Sequence, residues 1–168
     1  RQMCIRDRIY RQERVGLHNQ TFWMYKFRSM YLHAEEYLEE LQKFNQIKDG
    51  PAFKMDNDPR ITKVGSFIRR TSIDELPQLF NILKGEMTFV GPRPPLVSEV
   101  EKYNSYQRQR LGVKQGLTCF WQCSGRNNIG FEEWVALDLK YIKTRGIWTD
   151  IKILLKTVSA VLRMDGAC

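Results

Sequence analysis

Histidine is nearly absent from this chain: His18 and His33 are the only two in 168 residues. That scarcity disfavours Ser-His and Cys-His catalysis, which needs an imidazole beside the nucleophile. The four cysteines, Cys4, Cys119, Cys123 and Cys168, are scattered. Cys119 and Cys123 lack the second pair or the histidines that a zinc site requires. With no secretory signal in view, the cysteines point to a reducing, cytosolic exposure. No apolar run approaches the roughly 18 residues of a spanning helix, and the opening "RQMCIRDR" has neither the apolar middle nor the small-residue cleavage site of a signal peptide. Membrane contact is therefore expected to be peripheral. Internal repeats, low-complexity linkers, G-x-G-x-x-G and Walker sequences are all missing. What the chain does have is positive charge, 27 Lys and Arg against 19 Asp and Glu, a net +8. Such a balance favours polyanionic partners: nucleic acid, an anionic membrane face or phosphorylated substrates. The length suits one domain with a real core.

Along the chain, "QTFWMYKFRSM" alternates like a strand, with Phe22, Met24, Lys26 and Arg28 on one face and Trp23, Tyr25 and Phe27 on the other. Apolar residues at 34, 37, 38, 41 and 44 predict a helix over about 31–47, stopped at Asp49-Gly50-Pro51. Asp56 and Asp58 form a D-x-D, a metal-binding spacing elsewhere, but Asn57 and Pro59 beside them favour an Asx-type turn. In "FIRRTSIDELPQLFNILKGEM", residues 67 to 87, the stripe Ile73, Leu76, Leu79, Phe80 and Leu83 predicts a helix over about 72–84 ending at Gly85. Its start fits two registers: Ser72 as N-cap with Glu75 closing a capping box, or Asp74 as N-cap with Pro77 in the first turn. Acids are favoured at a helix start, so Asp74 and Glu75 read first as punctuation. The same position also attracts anions, and Arg69 and Arg70 lie just upstream. A short strand in "MTFVGPRPP" then runs into Pro92-Arg93-Pro94-Pro95, where flanking prolines stiffen the backbone around Arg93. A rigidly held arginine suits bidentate phosphate recognition; a plain turn or a proline-rich ligand is the ordinary reading of these residues.

Three stretches, "ERVGLHNQTFWMYKFRSM", "DPRITKVGSFIRRTSIDELPQLFNILKGEMTFVGPRP" and "GLTCFWQCSGRNNIGFEEWVALDLKYI", together resemble the bacterial sugar transferases, monotopic polyprenol-phosphate phosphoglycosyl transferases that initiate exopolysaccharide, capsule and O-antigen lipopolysaccharide synthesis. The resemblance covers about Tyr10 to Met164 with motif order and spacing preserved. Residues 1–9 read as a leader outside the family and are expected to be an artefact. Residues 10–168 are expected to be a catalytic domain lacking its N-terminal membrane anchor. The resemblance implies transfer of a sugar 1-phosphate from a nucleotide-diphosphate sugar to undecaprenyl phosphate at the cytoplasmic face of the bacterial inner membrane. Asp74 would be the nucleophile of a covalent phosphosugar adduct, and Glu75 would place Mg²⁺ or handle protons. A carboxylate needs no deprotonation at neutral pH, so the barrier to attack is mostly charge repulsion. Mg²⁺, Arg69 and Arg93 would relieve it.

Other candidates are less specific. Lys26 and Arg28 share a strand face and could add phosphate contacts, or simply solvate an edge. The polar loop "QCSGRNNIG" offers Gln122, Ser124, Gly125 and Arg126 to a nucleotide; the resemblance places a Q-x-S-G-R segment here, with Cys123 where valine is usual. The segment "WTDIKILLKTVSAVLRM" puts Ile147, Ile151, Leu154, Leu155, Val158 and Leu162 on one face and Lys152, Lys156 and Arg163 on another. Such a helix lies in an anionic membrane interface or packs its apolar face on the core. The expected fold is α+β, a helix-rich single domain with short strands and amphipathic interfacial helices, without the βαβ alternation of a Rossmann fold. The competing class is a non-enzymatic basic module for nucleic acid or acidic lipid, supported by the charge and by the basic and aromatic residues around 22–28. Nucleic acid is the less favoured partner because the basic residues are spread along the chain.

Overall fold

Strand β1 (Ile9–Val15) and strand β2 (Thr21–Phe27) form an antiparallel hairpin with Ile9 opposite Phe27 and Val15 opposite Thr21. The reversal between them uses left-handed backbone at His18 and Asn19, closed by Gly16 N–H donating to the Gln20 carbonyl at 2.8 Å. The computed structural model describes residues 8–46, 50, 51, 53, 55, 57–123 and 129–163. Beyond the hairpin come α1 (Leu38–Leu41), α2 (Lys63–Arg70), a 3₁₀ turn (Ile73–Glu75) and α3 (Gln78–Leu83). There follow β3 (Thr88–Val90), α4 (Val97–Val100), α5 (Ser105–Arg108), β4 (Gly116–Thr118), α6 (Phe120–Cys123), α7 (Phe131–Thr144) and α8 (Ile147–Arg163). Strands β3 and β4 pair in parallel, so the described residues hold two small two-stranded sheets and no doubly wound one. This is the α+β domain the sequence predicts.

Two close approaches position the later elements. A Cβ on Gly116 would lie 2.1 Å from the Gly91 nitrogen, so the β3 end and the β4 start cross only because neither carries a side chain. A Cβ on Gly65 would lie 1.8 Å from the Ser29 carbonyl oxygen, which lets α2 rest on the chain leaving β2. Thr62 caps α2, its Oγ1 accepting from Gly65 N–H at 2.8 Å.

The main core gathers Val15, Val100, Tyr103, Leu111, Phe131, Val135 and Leu139. A second cluster holds Val90, Cys119, Tyr141 and Ile153. Helix α7 serves both: Phe131, Val135 and Leu139 recur every four residues and face the first, while Tyr141 reaches the second. Each large apolar side chain buried there contributes about 1.5–3 kcal/mol.

Two predicted helices differ. In place of a helix over 31–47, residues 32–37 form turns, followed by α1 and a 3₁₀ turn at Gln42–Phe44; residues 47–49 lie outside the described residues. The apolar spacing was present, but Tyr37 and Phe44 stay exposed, and a helical pattern without a surface to pack on does not overcome the cost of nucleation. In place of one helix over 72–84 there are two pieces, broken at Leu76-Pro77, where proline has no N–H to continue the ladder. Gly85 does end α3, with φ of +76°.

Candidate active site around Asp74 and Glu75

The broken helix presents the two acids differently from either predicted capping register. Ser72 adopts left-handed backbone (φ 57°) and its side chain makes no cap; Pro77 occupies the cap of α3. A non-glycine residue in that conformation costs on the order of 1 kcal/mol. The strained turn sits immediately before the dyad. Asp74 is thereby turned inward, 7% exposed, while Glu75 receives Lys26 Nζ at 2.9 Å.

The surroundings of Asp74 are cationic. Burial raises its carboxyl above the ordinary aspartate value and the Glu75 charge adds to the rise, while Lys26, Arg69 and Arg93 oppose it. Burial in turn lowers the Lys26 amine, which Glu75 and Asp74 partly restore. Arg69 reaches the site from α2, its Nε donating to Ser29 Oγ at 2.7 Å, so the same residue that seats Gly65 also orients this guanidinium. A buried carboxylate on which three cations act leaves room for additional negative charge, such as a phosphate.

Arg93 stands on a backbone held at every carbonyl. The Pro92 carbonyl accepts from Gly116 N–H (2.9 Å), that of Arg93 from Arg110 Nη2 (3.5 Å), that of Pro94 from Arg14 Nη1 (3.0 Å) and that of Pro95 from Val15 N–H (3.0 Å). Arg110 is itself fully buried, ion-paired with Asp138 and placed over the Trp134 ring at 4.8 Å. The prolines restrict φ and the donors restrict ψ, which is the stiffness expected of this segment.

Of the residues named from sequence, the structure thus brings Asp74, Glu75, Lys26, Arg69 and Arg93 together. The Arg28 guanidinium lies 5.4 Å over the Tyr10 ring. Strand β2 ends at Phe27, so the alternation that paired Arg28 with Lys26 has stopped. Gln122 lies buried on α6, its Nε2 donating to the Leu117 carbonyl at 3.2 Å. Ser124, Gly125 and Arg126 lie outside the described residues, as does Asp56. Asp58 forms the expected Asx turn, its Oδ1 accepting from Arg60 N–H at 2.9 Å, and is ion-paired with the Arg60 side chain.

Sequence reasoning missed Asn81. It is fully buried; its Oδ1 accepts from Tyr25 N–H at 3.1 Å and its Nδ2 donates to the Trp23 carbonyl at 2.7 Å and to Glu86 Oε2 at 2.6 Å. The amide pairs with the edge of β2 as a neighbouring strand would, fastening α3 beside Lys26. The signal was available: Asp74, Gln78 and Asn81 recur at four and three residues and are all buried. The apolar stripe recurs at the same period, and Ile73, Leu76, Leu79, Phe80 and Leu83 are 37%, 52%, 38%, 63% and 83% exposed. The segment is inside out.

The bacterial sugar transferase model matches residues 5–164, and the chain belongs to that family. Curated relatives include the galactosyl transferase CpsE of Streptococcus agalactiae serotype III, 55% identical over 160 residues, 95% of this chain and 35% of that protein. The undecaprenyl-phosphate galactose phosphotransferase of Salmonella typhimurium is 50% identical over 165 residues, 95% of this chain and 34% of that protein. The exopolysaccharide production protein ExoY of Rhizobium meliloti is 41% identical over 162 residues, covering 95% of this chain and 72% of its own length. The chain thus spans about a third of the first two relatives.

Proposed function

We propose that this domain transfers a sugar 1-phosphate from a nucleotide-diphosphate sugar to undecaprenyl phosphate, through a phosphosugar ester on Asp74. The observation that carries the reading is the buried Asp74 carboxylate faced by Lys26, Arg69 and Arg93. In the first step an Asp74 oxygen forms a bond to the sugar-bearing phosphorus; the bond from that phosphorus to the bridging oxygen breaks, and nucleoside monophosphate departs with the electron pair. In the second, an oxygen of undecaprenyl phosphate attacks the same phosphorus and the Asp74 carboxylate leaves. Neither step requires a proton from the enzyme, in keeping with the shortage of histidine. The three cations neutralise charge that would otherwise repel a carboxylate from a diphosphate. The rigid Arg93 segment holds its fork in place beforehand, which limits the reorganisation needed during reaction.

No cluster of three or more His, Cys, Asp or Glu capable of holding a metal occurs among the described residues. Mg²⁺ does not need one, since one or two carboxylates with substrate phosphate oxygens complete its shell. Glu75, beside Asp74, is the residue that would hold it, and the ion would supply further charge neutralisation.

The lipid acceptor is reached from the outward apolar surface. Val64 and Phe67 on α2, Leu76, Phe80 and Leu83 around α3, and Trp148, Leu155, Val158 and Leu162 on α8 are each more than half exposed. Among the described residues no helix is long and apolar enough to cross a membrane. These side chains instead suit an interface, with Lys152, Lys156 and Arg163 toward anionic headgroups. Of the two sequence alternatives for α8, interfacial attachment is favoured over packing of that face, because Ile153 rather than the predicted stripe is the buried residue.

The test is intact-protein mass after incubation with nucleotide-sugar and Mg²⁺ without lipid acceptor, in membrane-anchored enzyme. Wild type should gain one phosphosugar and Asp74→Asn none. Equal adduct on both would remove Asp74 from the nucleophile role.

A further inference from the structure

Arg14, on β1, is an unexpected residue to bury. It is 8% exposed, its Nη1 donates to the Pro94 carbonyl at 3.0 Å and its Nη2 to Gln12 Oε1 at 2.6 Å, while its Nε finds no acceptor. Among the described residues no carboxylate oxygen comes within ion-pairing distance of it. Glu99 is the acid that acts on it most, and Glu99 Oε2 already accepts from Leu96 N–H at 2.9 Å. Burying a guanidinium without a carboxylate is costly. The charge of Arg93 adds to that cost: burial first, then Arg93, lowers the Arg14 guanidinium to about 10. A neutral side chain could hold the Pro94 carbonyl without this penalty. Two neighbouring cations are relieved when an anion binds at the less buried member of the pair, which is Arg93.

We propose that Arg14 is a positioning residue for phosphate binding: by donating to the Pro94 carbonyl it holds the proline segment that aims Arg93, and its buried charge strengthens the pull on a phosphate there. The proposal rests on the reading of Arg93 as a phosphate ligand. It does not make Arg14 a catalytic residue, since its side chain is covered by the segment it holds.

The experiment uses inorganic pyrophosphate as probe, titrated calorimetrically into wild type, Arg14→Met, Arg14→Lys, Arg93→Lys and the Arg14→Met/Arg93→Lys double variant. Arg14→Met should weaken pyrophosphate about tenfold, and Arg14→Lys, which keeps the charge and an N–H, should recover to within about threefold of wild type. Because the positioning by Arg14 acts through Arg93, the double variant should lose less than the two single losses combined. Additive losses, or wild-type affinity in Arg14→Met, would overturn the proposal while leaving the phosphate role of Arg93 standing. Failure of wild type to bind pyrophosphate would overturn that role and the proposal with it. Should Arg14→Met not fold, Arg14→Gln takes its place, keeping an N–H for the Pro94 carbonyl without the charge. Weakened binding in Arg14→Gln beside near-normal binding in Arg14→Lys supports the proposal, and normal binding in both overturns it.

Discussion

Helix α7 and the segment over 72–84 obey the same periodicity with opposite orientation. On α7 the apolar residues Phe131, Val135 and Leu139 are buried and the charged Glu132, Glu133 and Lys140 are exposed. On the segment carrying the dyad, Asp74, Gln78 and Asn81 are buried while Leu76, Phe80 and Leu83 are outside. Hydrophobic periodicity therefore reports that a helix has two faces without saying which one meets water. What decides here is the polar side: Asp74 has cations to face and Asn81 has a strand edge to pair with. On the proposed function, the outward leucines and phenylalanine face the lipid interface.

The contrast breaks most visibly if a charge is placed on each apolar face. Val135→Asp puts an unpaired carboxylate into the main core and should abolish the cooperative thermal transition, since the cost of several kcal/mol approaches the roughly 5–15 kcal/mol of a whole domain. Leu83→Asp, on a residue 83% exposed, should shift that transition little and reduce sedimentation with lipid vesicles. Equal destabilisation by both would show that the dyad segment has a conventional interior.

Next in size is the effect of the buried acid on stability. A carboxyl whose pKa is raised on folding favours the folded state below its unfolded value, and that contribution is lost as pH rises through the higher folded value. At neutral pH the ionised Asp74 is therefore a burden on the fold. Asp74→Asn should melt at a higher temperature than wild type at pH 7, and the gap should close as pH is lowered toward the ordinary aspartate range. A lower melting point for the variant at pH 7 would contradict this. The same shift means that adduct formation should decline with acidification earlier than an ordinary aspartate would dictate, measurable as adduct yield against pH.

The smallest effect sharpens the outward face itself. Vesicle binding by this domain should be weak, stronger on anionic than neutral lipid, and reduced by salt, because each of Lys152, Lys156 and Arg163 contributes only about 1 kcal/mol near such a surface. Salt-independent binding of equal strength to both lipids would detach α8 from that role.

Sequence reading succeeded where causes are local. The alternation of β2, the Asp58 turn, the Gly85 stop and the length of α8 each depend on neighbours within a few residues, and each is present in the structure. Arg69 and Arg93 were named beside Asp74 from the family resemblance, whereas Lys26, left open between a phosphate contact and a solvated edge, proves to be ion-paired with Glu75 and to act on Asp74. The losses were non-local. The helix over 31–47 needed a surface that the fold does not supply, although the break at Pro77 is local and follows from the proline itself. Asn81 escaped notice because its hydrogen bonds run to Trp23 and Tyr25, far away in the chain.

The pairing of Asn81 with β2 also bears on portability. A linear peptide spanning 72–84 would carry Asp74 but not the scaffold that presents it, since Lys26 and the strand edge come from the hairpin and Arg69 is seated on Ser29. Grafting this chemistry onto another protein would require at least the β1–β2 hairpin, α2 and the proline segment to travel together.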